Sequence, residues 1–223
     1  MNRMTSVTDT RAGVAGMIFV AAALVDTAIT GAPPAQTLGA PALTEYFANQ
    51  GPFINTAALL SLAITPAITW YLVRLVTRCQ RAGQPTLAVA VLVLSAAGGA
   101  LFIGSWSLFH AASLLASSQA PETVFALVVA SALMSAQLAF CLGLLMLVVS
   151  VVVQRSLAFD PWYGWLGFFT AAVAIGTSAA ALTSLSRLGV HGFGLFAFLV
   201  WVGCGSVLFI RGRGDLAHAK PWV

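Results

Sequence analysis

The sequence predicts an all-α, polytopic membrane protein, with six transmembrane helices in a compact bundle and both termini cytoplasmic. Three observations predict this class. Apolar residues make up 60% of the 223-residue chain and charged residues 7%, against about 45–50% and about 25% in soluble domains. The ten basic and six acidic side chains are too few to cover a water-soluble globule of this length. The apolar residues also fall into six runs, each approaching or exceeding the roughly 20 residues that cross a bilayer. Composition thus excludes a soluble enzyme, a disordered chain, a nucleic-acid-binding module and a disulfide-stapled secreted domain.

The first run covers about 13–30 and follows Arg3 and Arg11. Basic residues before an apolar stretch are also a signal-peptide pattern, and Thr30-Gly31-Ala32 imitates a cleavage site. Pro33 would follow that cut and the run is long for a signal, so the helix is expected to be retained. The connection that follows holds Pro33, Pro34 and Pro41. Within it, Thr44-Glu45-Tyr46-Phe47 fits either a short interfacial helix with an aromatic face or an irregular loop whose aromatics rest on the membrane surface.

Pro52 marks the start of the second run, about 53–76, which carries Ser61, Thr65 and Thr69 on one face around Pro66. A mid-helix proline frees a carbonyl that nearby hydroxyls can satisfy, and a static bend is expected there rather than a hinge. Pro85 and Pro121 precede the third and fourth runs, about 86–115 and 122–153. Both exceed the length needed and are expected to tilt or to extend beyond the bilayer. Asp160 as N-cap and Pro161 at the first helical position open the fifth run, about 162–185. Trp162-Tyr163-Gly164-Trp165 at its start reads as an aromatic belt. The sixth run, about 190–210, is closed by Gly212 and Gly214. The whole chain, 1–223, reads as one domain.

Orientation follows from the basic residues. With six spans, Arg3, Arg11, Arg74, Arg78, Arg81, Arg155, Arg211, Arg213 and Lys220 fall on one side and Arg187 alone on the other. Small residues at four-residue spacing predict the packing seams. These are Ser131, Ser135, Ala139 and Gly143 on the fourth helix, Ser95 and Gly99 on the third, and Ala172, Gly176 and Ala180 on the fifth.

Ionisable groups inside spans are expensive in lipid and are the default functional candidates. Asp26, Asn55, His110, Glu122, Arg187 and His191 all fall at similar depth toward the arginine-poor side. The functional expectation is an outward-facing pocket for a small polar or amphipathic ligand, lined by Asp26, Trp106, His110, Arg187 and His191. Gly99, Trp106, His110 and Ser113 share one helical face that would form its wall. A structural alternative pairs Asp26 with His110 or Arg187 to fasten helices, and places Glu122 as a favourable charge at a helix N-terminus.

Gln137, a large polar residue in mid-helix, is expected to bridge helices or line a path. Haem ligation by His110 and His191, or a metal on Asp26, His110 and His191, lacks histidines paired at i, i+4. Cys79, Cys141 and Cys204 form no C-x-x-C pair. No catalytic set, metal or cofactor is therefore assigned. Binding or transport of the ligand is the expected function, with a non-catalytic scaffold subunit as the alternative and a membrane-embedded enzyme behind both. No internal repeat relates residues 1–111 to 112–223. The expected partners are the lipid bilayer and either another membrane protein or a second copy of the chain, and not nucleic acid.

Arg11-Ala12-Gly13 at the first helix, Arg155-Ser156-Leu157 after the fourth, and Pro161-Trp162 leading to Leu166-Gly167 resemble the DUF4386-like bacterial multi-spanning membrane proteins of unknown function. That family often carries a basic residue where this chain has Trp162. The resemblance implies a six-helix bundle and assigns no activity to any residue; the expected location is a bacterial inner membrane.

Overall fold

The computed structural model describes residues 2–30, 39–118, 120–156 and 159–211. It contains six long helices: α1 (Asn2–Thr30), α2 (Gly39–Arg81), α3 (Pro85–Leu115), α4 (Pro121–Ser156), α5 (Pro161–Ala181) and α6 (His191–Ile210). A 3-10 helix at Leu185–Val190 joins the last two. All six long helices are long and apolar enough to cross a membrane. Each helix packs on its neighbours in sequence, and α6 closes the ring onto α1. Helix α4 also touches α2 and α6, which makes it the central and most buried helix.

The structure departs from the sequence expectation most in α2, which begins at Gly39 rather than near residue 53 and runs for 43 residues. At 1.5 Å per residue this is a rod of about 65 Å, about twice the hydrocarbon thickness. Gly39 opens it at φ 84, a conformation that favours glycine. Thr44–Phe47 therefore forms neither a separate interfacial helix nor a loop. Leu43, Phe47 and Ile54 are fully buried against Ala112 and Ala116 at the end of α3 and against Val124 and Val128 at the start of α4. Because α3 and α4 also overrun the membrane length, this segment has a protein surface to cover.

Pro52 consequently lies inside α2 and does not start it. Pro85, Pro121 and Pro161 do stand at helix starts. Around Pro66, the Thr65 and Thr69 hydroxyls donate to the carbonyls of Ser61 and Thr65 at 2.9 and 2.8 Å. Asp160 occupies the N-cap position of α5, yet its side chain makes no capping hydrogen bond.

The helix ends sort by charge. Asp9 near the start of α1 meets Arg74 and Arg78 near the end of α2, at 2.6 and 3.8 Å. The Arg78 guanidinium lies over Phe159, just before α5, and Phe209, near the end of α6. Arg11, Arg74, Arg78, Arg81, Arg155 and Arg211 thus share one end of the bundle, the arginine-rich end. At the opposite end the Tyr46 hydroxyl donates to the Thr30 carbonyl at 2.7 Å, joining α1 to α2. Arg187 lies between α5 and α6 at this second end. Residues 31–34, Leu157, Gly212, Arg213, Gly214 and Lys220, which entered the sequence reading, lie outside the described residues.

The packing seams differ from the expected stripes. On α5 the buried face runs through Gly167, Ala171, Ala174, Ser178 and Ala181, while Ala172 and Gly176 are exposed. On α3, Gly98 packs against Leu138 and Leu142, and Gly99 faces outward. Four-residue spacing alone does not say which of several small-residue faces is turned inward. The α4 stripe divides between two neighbours. Ser131 and Ser135 face α3, and Gly143 meets Ala171, Ala174 and Ile175 of α5. In the aromatic cluster, Trp162 and Trp165 point outward as a belt requires, but Tyr163 is fully buried and stacks on Trp201 at 5.4 Å.

Candidate functional site

The rotation of α3 is set by three serines. The Ser105 hydroxyl lies 2.6 Å from that of Ser135 and 3.2 Å from that of Ser131, and Ser131 donates back to the Ser105 carbonyl at 2.9 Å. In lipid such interhelical hydrogen bonds hold helices where hydrophobic expulsion does not act. With Ser105 against α4, the face of α3 bearing Phe102, Ile103, Trp106, Ser107, His110 and Leu114 is turned toward α2.

Between that face and α2 lies a groove of about 410 Å³. Asn55, Leu59, Ser61, Leu62 and Thr65 are among the α2 residues that line it. Because the two helices run antiparallel, Asn55 at the start of the apolar part of α2 shares the arginine-poor end with Ser107 and His110 of α3. Leu62, Phe102 and Ile103 lie deeper. Trp106 is held edge-on by Phe102 and Phe109, with ring centroids 6.5 and 5.7 Å away. Leu59, Leu62, Ile103 and Leu114 are exposed on the outside of the bundle, so the groove opens along the surface that would face lipid. His110 Nδ1 has no hydrogen-bond partner among the described residues.

The five candidates from sequence are divided over three places. Trp106 and His110 line the groove together. Asp26 is on α1, which packs on α2 and α6, whereas α3 packs on α2 and α4. Asp26 is 8% exposed, its Oδ1 is without a hydrogen-bond partner, and it shares the inward face of α1 with Ala12 and Gly16. Among the described residues it forms no ion pair with His110 or Arg187. Arg187 is exposed in the 3-10 helix, and His191 follows it at the start of α6, on the α4–α5–α6 side of the bundle. The described residues contain no cluster of three or more His, Cys, Asp or Glu side chains able to hold a metal ion. No carboxylate lines the groove. One imidazole, one amide and a few hydroxyls against apolar walls can orient a molecule, but they supply no acid–base pair.

The cluster at the arginine-rich end is not evident from composition or hydropathy. Arg78 is more than a topology marker: it is 6% exposed, ringed by Phe159 at 4.3 Å and Phe209 at 4.8 Å. Arg74 also bonds the Thr8 hydroxyl at 3.0 Å. The four-residue step from Arg74 to Arg78, which places both on one face of a helix, was the available signal.

No family model, no curated protein and no solved structure matches the chain.

Proposed function

We propose that this is a multi-pass protein of a bacterial inner membrane, with both termini cytoplasmic, that binds a small amphipathic ligand in the α2–α3 groove. The observation that carries the functional reading is the polarity gradient along the groove. Polar groups from Asn55, Ser107 and His110 gather at the arginine-poor end, and Leu62, Phe102 and Ile103 form apolar walls further in, where Ser61 and Thr65 also line the groove and the Thr65 hydroxyl is already bonded to the Ser61 carbonyl. A ligand with one hydrogen-bonding end and a short apolar body fits this gradient, and the exposed lining leucines provide access from the bilayer. The volume lies within the usual range of small-molecule sites, about 300–1,000 Å³. The bacterial assignment rests on the short resembling stretches. The sidedness rests on the basic residues gathered at one end, by the positive-inside rule.

Two measurements test this reading. A green fluorescent protein fused at the C-terminus is expected to fluoresce in cells, since it matures in the cytoplasm, whereas a dark fusion with an active periplasmic reporter at the same point would reverse the topology. For the groove, the protein is reconstituted with a diazirine-bearing phospholipid and a diazirine-bearing fatty alcohol, photolysed and mapped by mass spectrometry. Ala58→Trp, which fills the groove, is expected to remove adducts on Leu62 and Ile103 while leaving those on Phe169, an exposed residue of α5. His110→Phe is expected to weaken labelling about tenfold, as for loss of one or two hydrogen bonds. Equal labelling of the groove and Phe169 in every variant would show ordinary lipid contact and overturn the proposal.

A further inference from the structure

Helix α4 is central, yet one stripe of it reaches the outside of the bundle. Leu133, Gln137, Phe140 and Leu147 are exposed on this stripe, and Leu144 and Val151 on it are half-buried. Their spacing alternates four, three, four, three and four residues, the pattern of a seam between two helices that cross at a shallow angle. Gln137 stands near the middle of the 36-residue helix, within about 3 Å of its midpoint. Gln137 is exposed, and its carboxamide makes no hydrogen bond among the described residues.

Several other exposed polar groups in the spans are handled differently. The exposed hydroxyls of Thr27, Thr56, Thr69 and Thr77 each donate to the carbonyl four residues earlier, at 2.8–3.0 Å. Each is thereby satisfied inside its own helix. A glutamine amide in hydrocarbon needs a partner from elsewhere, because lipid tails offer neither donor nor acceptor. An amide carries both, so it is complementary to a second copy of itself.

We propose that the outward stripe of α4 is the interface of a parallel homodimer, with the two Gln137 side chains hydrogen-bonded to each other across a two-fold axis normal to the membrane. A two-fold axis brings each stripe residue against its own counterpart. Leu133, Phe140, Leu144 and Leu147 then pack above and below the amide pair. Two copies of one chain inserted in the same sense hold Gln137 at the same depth by construction, which an unrelated partner would have to match independently. This interface is separate from the α2–α3 groove, so either can fail without the other.

The test uses the full chain in lipid vesicles, with donor- and acceptor-labelled copies mixed at decreasing protein-to-lipid ratio. Wild type is expected to show energy transfer that titrates with density. Gln137→Leu is expected to weaken dimerisation about tenfold, equivalent to about 1.4 kcal/mol. Gln137→Asn, which remains self-complementary, should retain part of the affinity, and Phe169→Ala on α5 should retain all of it. In a background with the native cysteines replaced, Leu133→Cys and Phe140→Cys should each form same-residue disulfides, and Phe169→Cys should not. Energy transfer that is absent at all densities, or unchanged in Gln137→Leu, would overturn the proposal. So would crosslinking no greater on the α4 stripe than at Phe169.

Discussion

Replacing Arg78 by alanine is expected to lower the melting temperature of the protein in mild detergent by on the order of 10 °C. The guanidinium is buried at the arginine-rich end, 4.3 Å from the Phe159 ring centre and 4.8 Å from that of Phe209, with Asp9 at 3.8 Å. Truncation removes two cation–π contacts and their packing area, and leaves the Asp9 carboxylate to Arg74 alone. Two desolvated cation–π contacts contribute about 2 kcal/mol each, and each kcal/mol shifts the melting temperature of a chain of this size by about 2–4 °C. Arg78→Lys should recover only part of the loss, because an ammonium keeps the charge but lacks the planar face that lies on the rings. The contacts join α1, α2, α6 and the segment before α5, so the effect should appear as global loss of structure. A melting temperature within 2 °C of wild type would show that the cluster holds nothing together.

Gly205→Val is expected to be nearly as damaging, for the opposite reason. A Cβ at position 205 would meet the hydroxyls of both Tyr71 and Tyr163 and come within 3.0 Å of Tyr163 Cζ. Both tyrosines are fully buried, and their hydroxyls lie 3.4 Å apart. The Tyr163 hydroxyl also donates to the Trp201 carbonyl at 3.4 Å. The rings are locked by Phe209 and Trp201, so neither hydroxyl can retreat without disturbing the junction of α2, α5 and α6. Overpacking costs about 1–3 kcal/mol, and a displaced buried hydroxyl adds about 1–3 kcal/mol. Monodisperse protein on size-exclusion chromatography should fall severalfold. Adding Tyr163→Phe, which removes one of the colliding oxygens, should restore part of the yield. Failure of this second change to help would place the clash elsewhere.

Both predictions concern contacts between residues distant in sequence, and such contacts are where sequence reading reached its limit. The six helices were legible because hydrocarbon demands long apolar runs and prolines punctuate them. Pro85, Pro121 and Pro161 stand at helix starts, as a proline before an apolar run suggests, whereas Pro52 lies inside α2. A proline at a helix start and one inside a helix look alike in sequence, and only the fit of Leu43 and Phe47 against α3 and α4 decides between them. Likewise Gly176 and Gly167 are equally small, but which face of α5 is buried depends on the neighbours.

Of the candidate site, Trp106 and His110 share the groove because a four-residue step on one helix fixes a common face, whereas Gly99 and Ser113, expected on the same wall, are not among its lining residues. Asp26, Arg187 and His191 had been grouped with them by depth alone. Depth leaves open which helices are adjacent, and in the ring they fall on other sides. Asn55, named only for its depth, joins the groove because α2 and α3 are neighbours.

Helices of unequal length also make this protein a gauge of its surroundings. Helices α5 and α6, at 21 and 20 residues, rise about 30 Å, while α2, α3 and α4 are far longer. In a thicker membrane the long helices can remain upright with no apolar surface stranded, but α5 and α6 would draw the bilayer inward around themselves. In a thinner one the helices can tilt, the serine-bonded α3–α4 pair moving as a unit. Hydrophobic mismatch is therefore felt first on one flank of the ring, and a membrane near 30 Å is the one that matches α5 and α6.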